Sequence, residues 1–379
     1  MHDFLLRELN NVNIETELKN IGFDNSYSSK ASTKFQYKNI KIFNLSVAQA
    51  NILKQTALSV GADCGTHREV ITGKQELSDC ILGGSISQLI KIAEKLQYQP
   101  FKLKNLGTQI LELIDYQGQS LTKLVGILNL TTDSFSDGGD YYKFDNAIEH
   151  LKQLMDDGAD IIDIGAESTK PYSHEISAEK QLDKIIPILE YINSKGINIP
   201  ISIDTRSAIV AKKSIELGAK IINDVSGLEY DPKMIDVIAN NPNIKIVIQH
   251  SNGTPENMQD NPTYEHLMDE IYTTLKTRVD YAISKGVKKS QIIIDPGIGF
   301  GKTREQNFEI IKRWKEFKTL GCPVMIGISR KSLLNMTDAK NEDKDLYTLA
   351  LNSLLINDNI DYIRVHNVKI HKNLQNILV

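Results

Sequence analysis

Eight short apolar runs, each ending in a polar side chain followed by turn residues, lie between residues 124 and 366 and leave few folds open. They are Leu124–Leu128 into Asn129, Ile161–Ile162 into Asp163, Ile199–Ile203 into Asp204, Ile221–Ile222 into Asn223, Ile244–Ile248 into Gln249 and His250, Ile292–Ile294 into Asp295, Val324–Ile328 into Ser329 and Lys331, and Tyr362–Ile363 into Arg364 and His366. Near-continuous apolar runs of this length read as parallel strands buried on both faces. Amphipathic stretches such as Ala147–Met155, Ala178–Ile192, Ala208–Leu217 and Tyr264–Ile283 fill the intervals, and Gly158, Gly196, Gly218 and Gly286 follow periodic stretches as helix-stop glycines do. An open doubly wound sheet also suits strand–helix alternation. The count of eight and a span of roughly 255 residues favour a closed (β/α)8 TIM barrel, whose strand C-termini converge on one pocket.

Composition agrees with a globular protein that handles small molecules. Hydrophobic residues make up 41% and charged residues 24%, and a net charge of −4 offers no electrostatic attraction to nucleic acid or anionic lipid. The start, Met1-His-Asp-Phe-Leu-Leu-Arg-Glu8, lacks a basic segment leading into an apolar one, and nowhere do about 18 apolar residues run together. No membrane partner and a cytoplasmic location are expected. Cys64, Cys80 and Cys322 show no CxxC spacing, and Cys64, His67 and Cys80 do not match a standard zinc pattern, so ordinary thiols in a reducing compartment are expected.

Residues 1–115 stand outside the repeat and 116–379 contain it. The first segment carries apolar periodicity at Val47–Val60 and Ile86–Leu96, with Ser85 placed to cap the second helix. A small α/β or α+β domain follows, with packing or dimerisation as its default role. Gly61-Ala-Asp-Cys-Gly-Thr-His-Arg68 reads as a surface turn, and Leu103–Gln119 as a connector or a hairpin plugging the barrel's N-terminal mouth.

The segment Asp295-Pro-Gly-Ile-Gly-Phe-Gly-Lys302-Thr303 excludes two nucleotide motifs. A P-loop needs glycine where Pro296 stands, and a dinucleotide fingerprint needs it where Lys302 stands. A carboxylate at a strand end followed by a glycine-rich loop remains. Asp204, Asn223, Asp295 and Lys331 come from four different strand ends, and together they suit a flat heterocycle with amide and amino groups: carboxylates accept paired N–H bonds, an amide does both, and lysine donates. Asn129, Arg364 and His366 come from the first and last strands, which are neighbours in a closed barrel, and suit a diphosphate with its Mg²⁺.

The motifs Asn129-Leu-Thr-Thr-Asp-Ser-Phe-Ser-Asp-Gly-Gly139, Asp163-Ile-Gly-Ala-Glu-Ser-Thr-Lys-Pro171, Ser202-Ile-Asp-Thr205, Asn223-Asp-Val-Ser-Gly227, Gly253-Thr-Pro255, Asp295-Pro-Gly-Ile-Gly-Phe-Gly-Lys302, Ser329-Arg-Lys-Ser332 and Arg364-Val-His366 appear in order over residues 122–379. Together they resemble the dihydropteroate synthase family. The resemblance implies condensation of 6-hydroxymethyl-7,8-dihydropterin diphosphate with p-aminobenzoate, releasing pyrophosphate, and a homodimeric assembly. It places Asp204, Asn223, Asp295 and Lys331 on the pterin, and Arg364, His366 and Asn129 on the diphosphate, with Asn129 on Mg²⁺. Phe135, Thr169, Lys170, Pro171, Phe300 and Ser332 would form the p-aminobenzoate pocket, and Asp137, Lys331 and Arg364 would act in catalysis.

The implied chemistry is dissociative: diphosphate leaves, the pterin methylene becomes cation-like, and a weakly nucleophilic aniline attacks. No activated Ser or Cys is needed. Thr132, Ala166, Lys170, Tyr172, Gln249, Ser251 and Asn367 depart from the family pattern, so a pterin-binding paralogue with little or no turnover is the alternative expectation.

Overall fold

The computed structural model describes Arg7, Leu9 and residues 14–115, 121–130, 140–167, 175–253, 262–335 and 340–378. The chain divides into two compact units, Met1–Gln117 and Gly118–Val379.

The first unit runs α1 (Ile14–Asn20), α2 (Ser28–Ser32), β1 (Tyr37–Ser46), α3 (Val47–Leu58), β2 (Asp63–Thr66), β3 (Leu77–Ser85), α4 (Ile86–Leu96) and α5 (Leu103–Asp115). Its sheet has the order β1-β3-β2, antiparallel throughout. Separate strands and helices make this an α+β unit. Ser46 and Ser85 each build a full capping box, with Gln49 and Gln88 reaching back to the cap nitrogens, so α3 and α4 start where the sequence places a small hydroxyl three residues before Gln.

Two sequence expectations change here. Half of the segment 61–68 is strand, Asp63–Thr66, in which Cys64 is inward-facing and packs with Cys80 and Leu82 in the unit's core. Leu103–Gln119 is neither connector nor hairpin over its described length: Leu103, Gly107 and Ile110 recur at helical spacing and pack α5 against α4. A Cβ on Gly107 would stand 2.7 Å from the Ala93 carbonyl, so this glycine allows close helix approach.

The second unit is the expected barrel. Eight parallel strands, each followed by a helix, run β4 (Lys123–Asn129), α6 (Asp140–Asp156), β5 (Ile161–Gly165), α7 (Ala178–Ser194), β6 (Ile201–Asp204), α8 (Ala208–Glu216), β7 (Ile221–Asp224), α9 (Met234–Ala239), β8 (Lys245–Gln249), α10 (Leu267–Ser284), β9 (Ile292–Asp295), α11 (Arg304–Arg313), β10 (Met325–Ile326), α12 (Asn341–Asn357), β11 (Tyr362–Val365) and α13 (Val368–Leu378). The sheet order is β10-β11-β4-β5-β6-β7-β8-β9. A single bridge between Ile294 and Val324, with Ile294 N–H donating to Pro323 O at 2.9 Å, closes the circle. Gly158, Gly196, Gly218 and Gly286 all have positive φ, as helix-terminating glycines require.

Strand alternation sorts the barrel into two shells. Leu124, Leu128, Ile162, Ile164, Ile203, Ile246, Ile294 and Ile363 face outward into the core shared with the helices. Val125, Ile161, Ile221, Val247, Ile293, Met325 and Tyr362 face inward and fill the lower barrel as one apolar layer. The space left above that layer, against Asp163, Ser202 and Asn223, is only about 10 Å³. Among the described residues, no helix is long and apolar enough to cross a membrane.

Leu275 in α10 is fully buried in the outer shell. Leu275→Ala should cost the barrel about 2–5 kcal/mol by loss of transfer energy and cavity formation. Denaturant unfolding followed by fluorescence of Trp314, the chain's single tryptophan and a barrel residue, reads that loss without interference from the first unit.

Candidate functional site

Two residues along each strand from the apolar layer, the same inward direction carries polar groups: Asp163 after Ile161, Asn223 after Ile221, Gln249 after Val247, Asp295 after Ile293 and Arg364 after Tyr362. Asp204 stands beside Asn223 in the β6–β7 register and beside Gly165 in the β5–β6 register. All of these except Arg364, which is half-buried, are buried. The period of two therefore raises a polar ring on an apolar floor.

Arg364 organises one side of that ring. Its Nε donates to Asp163 Oδ2 at 2.5 Å and its Nη2 to Asp204 Oδ2 at 2.7 Å, and Asn223 Nδ2 donates to the same Asp163 oxygen at 3.1 Å. The sequence separates Arg364 from Asp204 into two chemical sectors; the structure ties them together, because the arginine side chain is long enough to reach across the barrel interior from β11. Asp163 has no role assigned from sequence, yet it is the acceptor on which Arg364 and Asn223 converge. Asp163 Oδ1, Asn223 Oδ1 and Gln249 Nε2 are buried with no hydrogen-bond partner among the described residues. Such orphaned atoms require a partner.

Asp295 lies across the ring, its Oδ1 accepting from Gly297 N–H at 2.7 Å. Lys331 approaches from beyond β10, donating to Ile298 O at 2.5 Å with its ammonium 4.5 Å above the Phe300 ring. Phe300 is buried against Val225, whereas Ser332 begins a 3-10 turn and is exposed. Burial raises the pKa of Asp204 to about 7 despite the Arg364 charge, and also raises that of Asp295. Burial lowers Lys331 to about 8, opposed by Asp295.

His366 turns to Ser329. The Ser329 hydroxyl accepts the His366 backbone N–H at 3.2 Å and stands 2.9 Å from Nδ1; in the tautomer whose Nδ1 takes the hydroxyl proton, the ring proton is on Nε2. Burial, with Arg330 and Arg364 nearby, lowers its pKa to about 3 and keeps the ring neutral. Arg330 is held bidentately by Asp345 at 2.8 Å for both bonds. Asn129 closes the first strand with its amide oxygen over Gly165, next to Asp204: a Cβ on Gly165 would lie 3.6 Å from that oxygen and 3.8 Å from Asp204 Oδ2. Among the described residues no group of three His, Cys, Asp or Glu side chains is placed to hold a metal. An amide oxygen beside a carboxylate is a hard donor set, and it fits Mg²⁺ only where the cation arrives with phosphate oxygens of its own.

Phe135, Asp137, Thr169, Lys170 and Pro171, with the departures Thr132 and Tyr172, lie outside the described residues. Of the other departures, Ala166 is buried, Ser251 donates to Gly253 O at 3.2 Å, and Asn367 Oδ1 accepts Ile370 N–H at 3.4 Å, a first-turn contact that aspartate would also make. Gln249 points into the ring.

Residues 125–366 match the model of the pterin binding enzyme family. The dihydropteroate synthase of Clostridium beijerinckii is 41% identical over 249 residues, covering 65% of this chain and 89% of that protein. A probable bifunctional folylpolyglutamate synthase/dihydropteroate synthase of Haloferax volcanii is 32% identical over 344 residues and covers 84% of this chain, so the match extends into the first unit; the chain spans only 40% of that protein's length. A crystal structure of the Clostridium difficile dihydropteroate synthase, obtained in the presence of pteroic acid, aligns with a TM-score of 0.64 and 38% identity over 69% of this chain and 97% of that one. With the polar ring at the barrel's C-terminal mouth and its motifs in family order, the chain belongs to the pterin binding enzyme family.

Proposed function

We infer that this chain is a dihydropteroate synthase, a transferase of folate biosynthesis that joins 6-hydroxymethyl-7,8-dihydropterin diphosphate to p-aminobenzoate with release of pyrophosphate. The observation that carries this is the inward polar ring, whose acceptors Asp204, Asp295 and the orphaned Asn223 Oδ1 match the N–H groups along a pterin's amino-pyrimidinone edge, while Lys331 matches its carbonyl or ring nitrogen. The pteroic acid of the structural relative unites a pterin with p-aminobenzoate, the two parts this reaction joins.

In this reading Asp295 and Asn223 hold the ring edge, and Lys331 donates to it from the opposite side. Arg364 spends two of its five N–H donors on Asp163 and Asp204 and offers the rest to the departing diphosphate, joined by the neutral His366 through Nε2–H. Asn129 would hold Mg²⁺ together with diphosphate oxygens, and that cation supplies neutralisation of the leaving charge. Asp204, close to Arg364, tempers the cationic field around the pterin methylene as positive charge develops there. Phe300 and Ser332, with Phe135, Thr169, Lys170 and Pro171, are assigned to p-aminobenzoate, and Asp137 to the reacting carbon. The resemblance also favours a homodimer in the cytosol, where Cys64, Cys80 and Cys322 stay as the free thiols they are here; light scattering should read twice the 42.6 kDa of the chain.

Incubation with pterin diphosphate, Mg²⁺ and p-aminobenzoate should release pyrophosphate only when p-aminobenzoate is present, and Lys331→Ala should abolish it. Tight pterin binding with no product in the wild type refutes the assignment. Sulfonamides, which copy p-aminobenzoate's shape and charge, should inhibit competitively; an inhibition constant indifferent to p-aminobenzoate contradicts the pocket.

Affinity for pterin diphosphate should have a bell-shaped pH dependence. Asp204 accepts fully once ionised, so binding strengthens as pH rises through about 7; Lys331 donates as an ammonium, so binding weakens as pH rises through about 8. Titration calorimetry from pH 6 to 9.5 checks both limbs, and the alkaline one should vanish in Lys331→Ala.

A further inference from the structure

Among the described residues, Lys302 is a buried cation for which this mechanism has no use. It is 2% exposed. Its ammonium donates to the carbonyls of Gly297 and Phe300, each at 2.9 Å, and meets His250 Nδ1 at 3.0 Å. An ammonium has three donors, and these are three partners. None is a carboxylate: the direct partners are dipoles of one short loop and one ring, and burial lowers the Lys302 pKa to about 7, opposed by the charge of Asp295. His250 is suited to accept: burial and the Lys302 charge lower its pKa to about 2, which leaves a neutral imidazole.

The loop is shaped around that ammonium. Gly297, Gly299 and Gly301 have φ of 72, 81 and 66°, in the left-handed region. A Cβ on Gly297 would stand 1.8 Å from the His250 carbonyl, so the backbone itself fills that space. With the 297 and 300 carbonyls turned toward Lys302, the 298 carbonyl turns toward Lys331 and the Phe300 ring comes to rest beneath the Lys331 ammonium and against Val225. Asp295 meets the loop through its Oδ1 on the Gly297 N–H, but its backbone is secured differently. It ends a strand paired with β8, and its carbonyl accepts the His250 N–H at 2.8 Å.

We propose that Lys302 is a positioning residue: by gathering the Gly297 and Phe300 carbonyls and His250 around one ammonium, it fixes loop 297–301 so that the Phe300 ring is preset for p-aminobenzoate. The ligand of Phe300 rests on the function proposed above; the grip of Lys302 on the loop does not. It follows that losing Lys302 frees Phe300 and leaves Asp295, the pterin acceptor, in place.

Lys302→Met keeps the side-chain length and removes the three donors. Amide hydrogen exchange across residues 297–301 should quicken by about tenfold or more, with 292–295 unchanged. KM for p-aminobenzoate should rise about tenfold while KM for pterin diphosphate stays within about threefold, and Phe300→Ala should add little in the Lys302→Met background. Unchanged exchange in the loop, equal losses for both substrates, or additive effects of the two substitutions overturn the proposal. Should Lys302→Met fail to fold, as read by Trp314 fluorescence, His250→Ala removes one acceptor and must give the same one-sided KM shift, whose absence is equally decisive. Wild-type protein that releases no pyrophosphate would count against the proposed function alone, since the exchange measurement still decides whether Lys302 holds the loop.

Discussion

A strand turns successive side chains to opposite faces, and in a closed barrel one of those faces is the barrel's interior. Everything at the mouth of this barrel depends on that parity. With isoleucine, valine or tyrosine at one inward position, the next inward position is two residues on, and there the chain places Asp163, Asn223, Gln249, Asp295 and Arg364. Shifting any of these strands by one residue would send its polar group into the apolar shell beneath the helices and an isoleucine into the pocket. Folding and site assembly are therefore specified by one and the same register.

Burying so many polar groups together would be unfavourable if each stood alone. The Arg364 guanidinium offsets part of the cost by serving Asp163 and Asp204 at once, and Asn223 adds a neutral donor to the shared Asp163 oxygen. Among the described residues Asp163 Oδ1, Asn223 Oδ1 and Gln249 Nε2 of the ring are left without partners. The protein keeps its site polar by satisfying only part of it, which a guest with complementary hydrogens completes.

The barrel was legible because its strands are apolar on both faces and recur with helical stretches between them. The residues of the ring were also legible, as run endings. Their partners were not: nothing local tells that Arg364 reaches Asp163, 201 positions earlier in the chain, or Asp204, 160 earlier. Asp163 carries no role in the sequence, although the isoleucine two places before it in the same run is a usable signal. Lys302 offered no signal beyond following a glycine-rich loop, since its partners are backbone carbonyls that any sequence would provide. In the first unit, composition does not distinguish a flexible glycine from Gly107, which is pressed against a neighbouring helix.

The ladder around the barrel is uneven. Between β9 and β10 it thins to the Ile294–Val324 bridge, and the two-residue β10 adds little. Above that seam the two edges are held by side chains instead: Lys331 on the Ile298 carbonyl and Arg304 on the Leu333 carbonyl at 3.1 Å. Asp295 stands on one edge and Lys331 on the other. A molecule grasped by both would be a staple across that seam, so its binding would stabilise the closed cylinder.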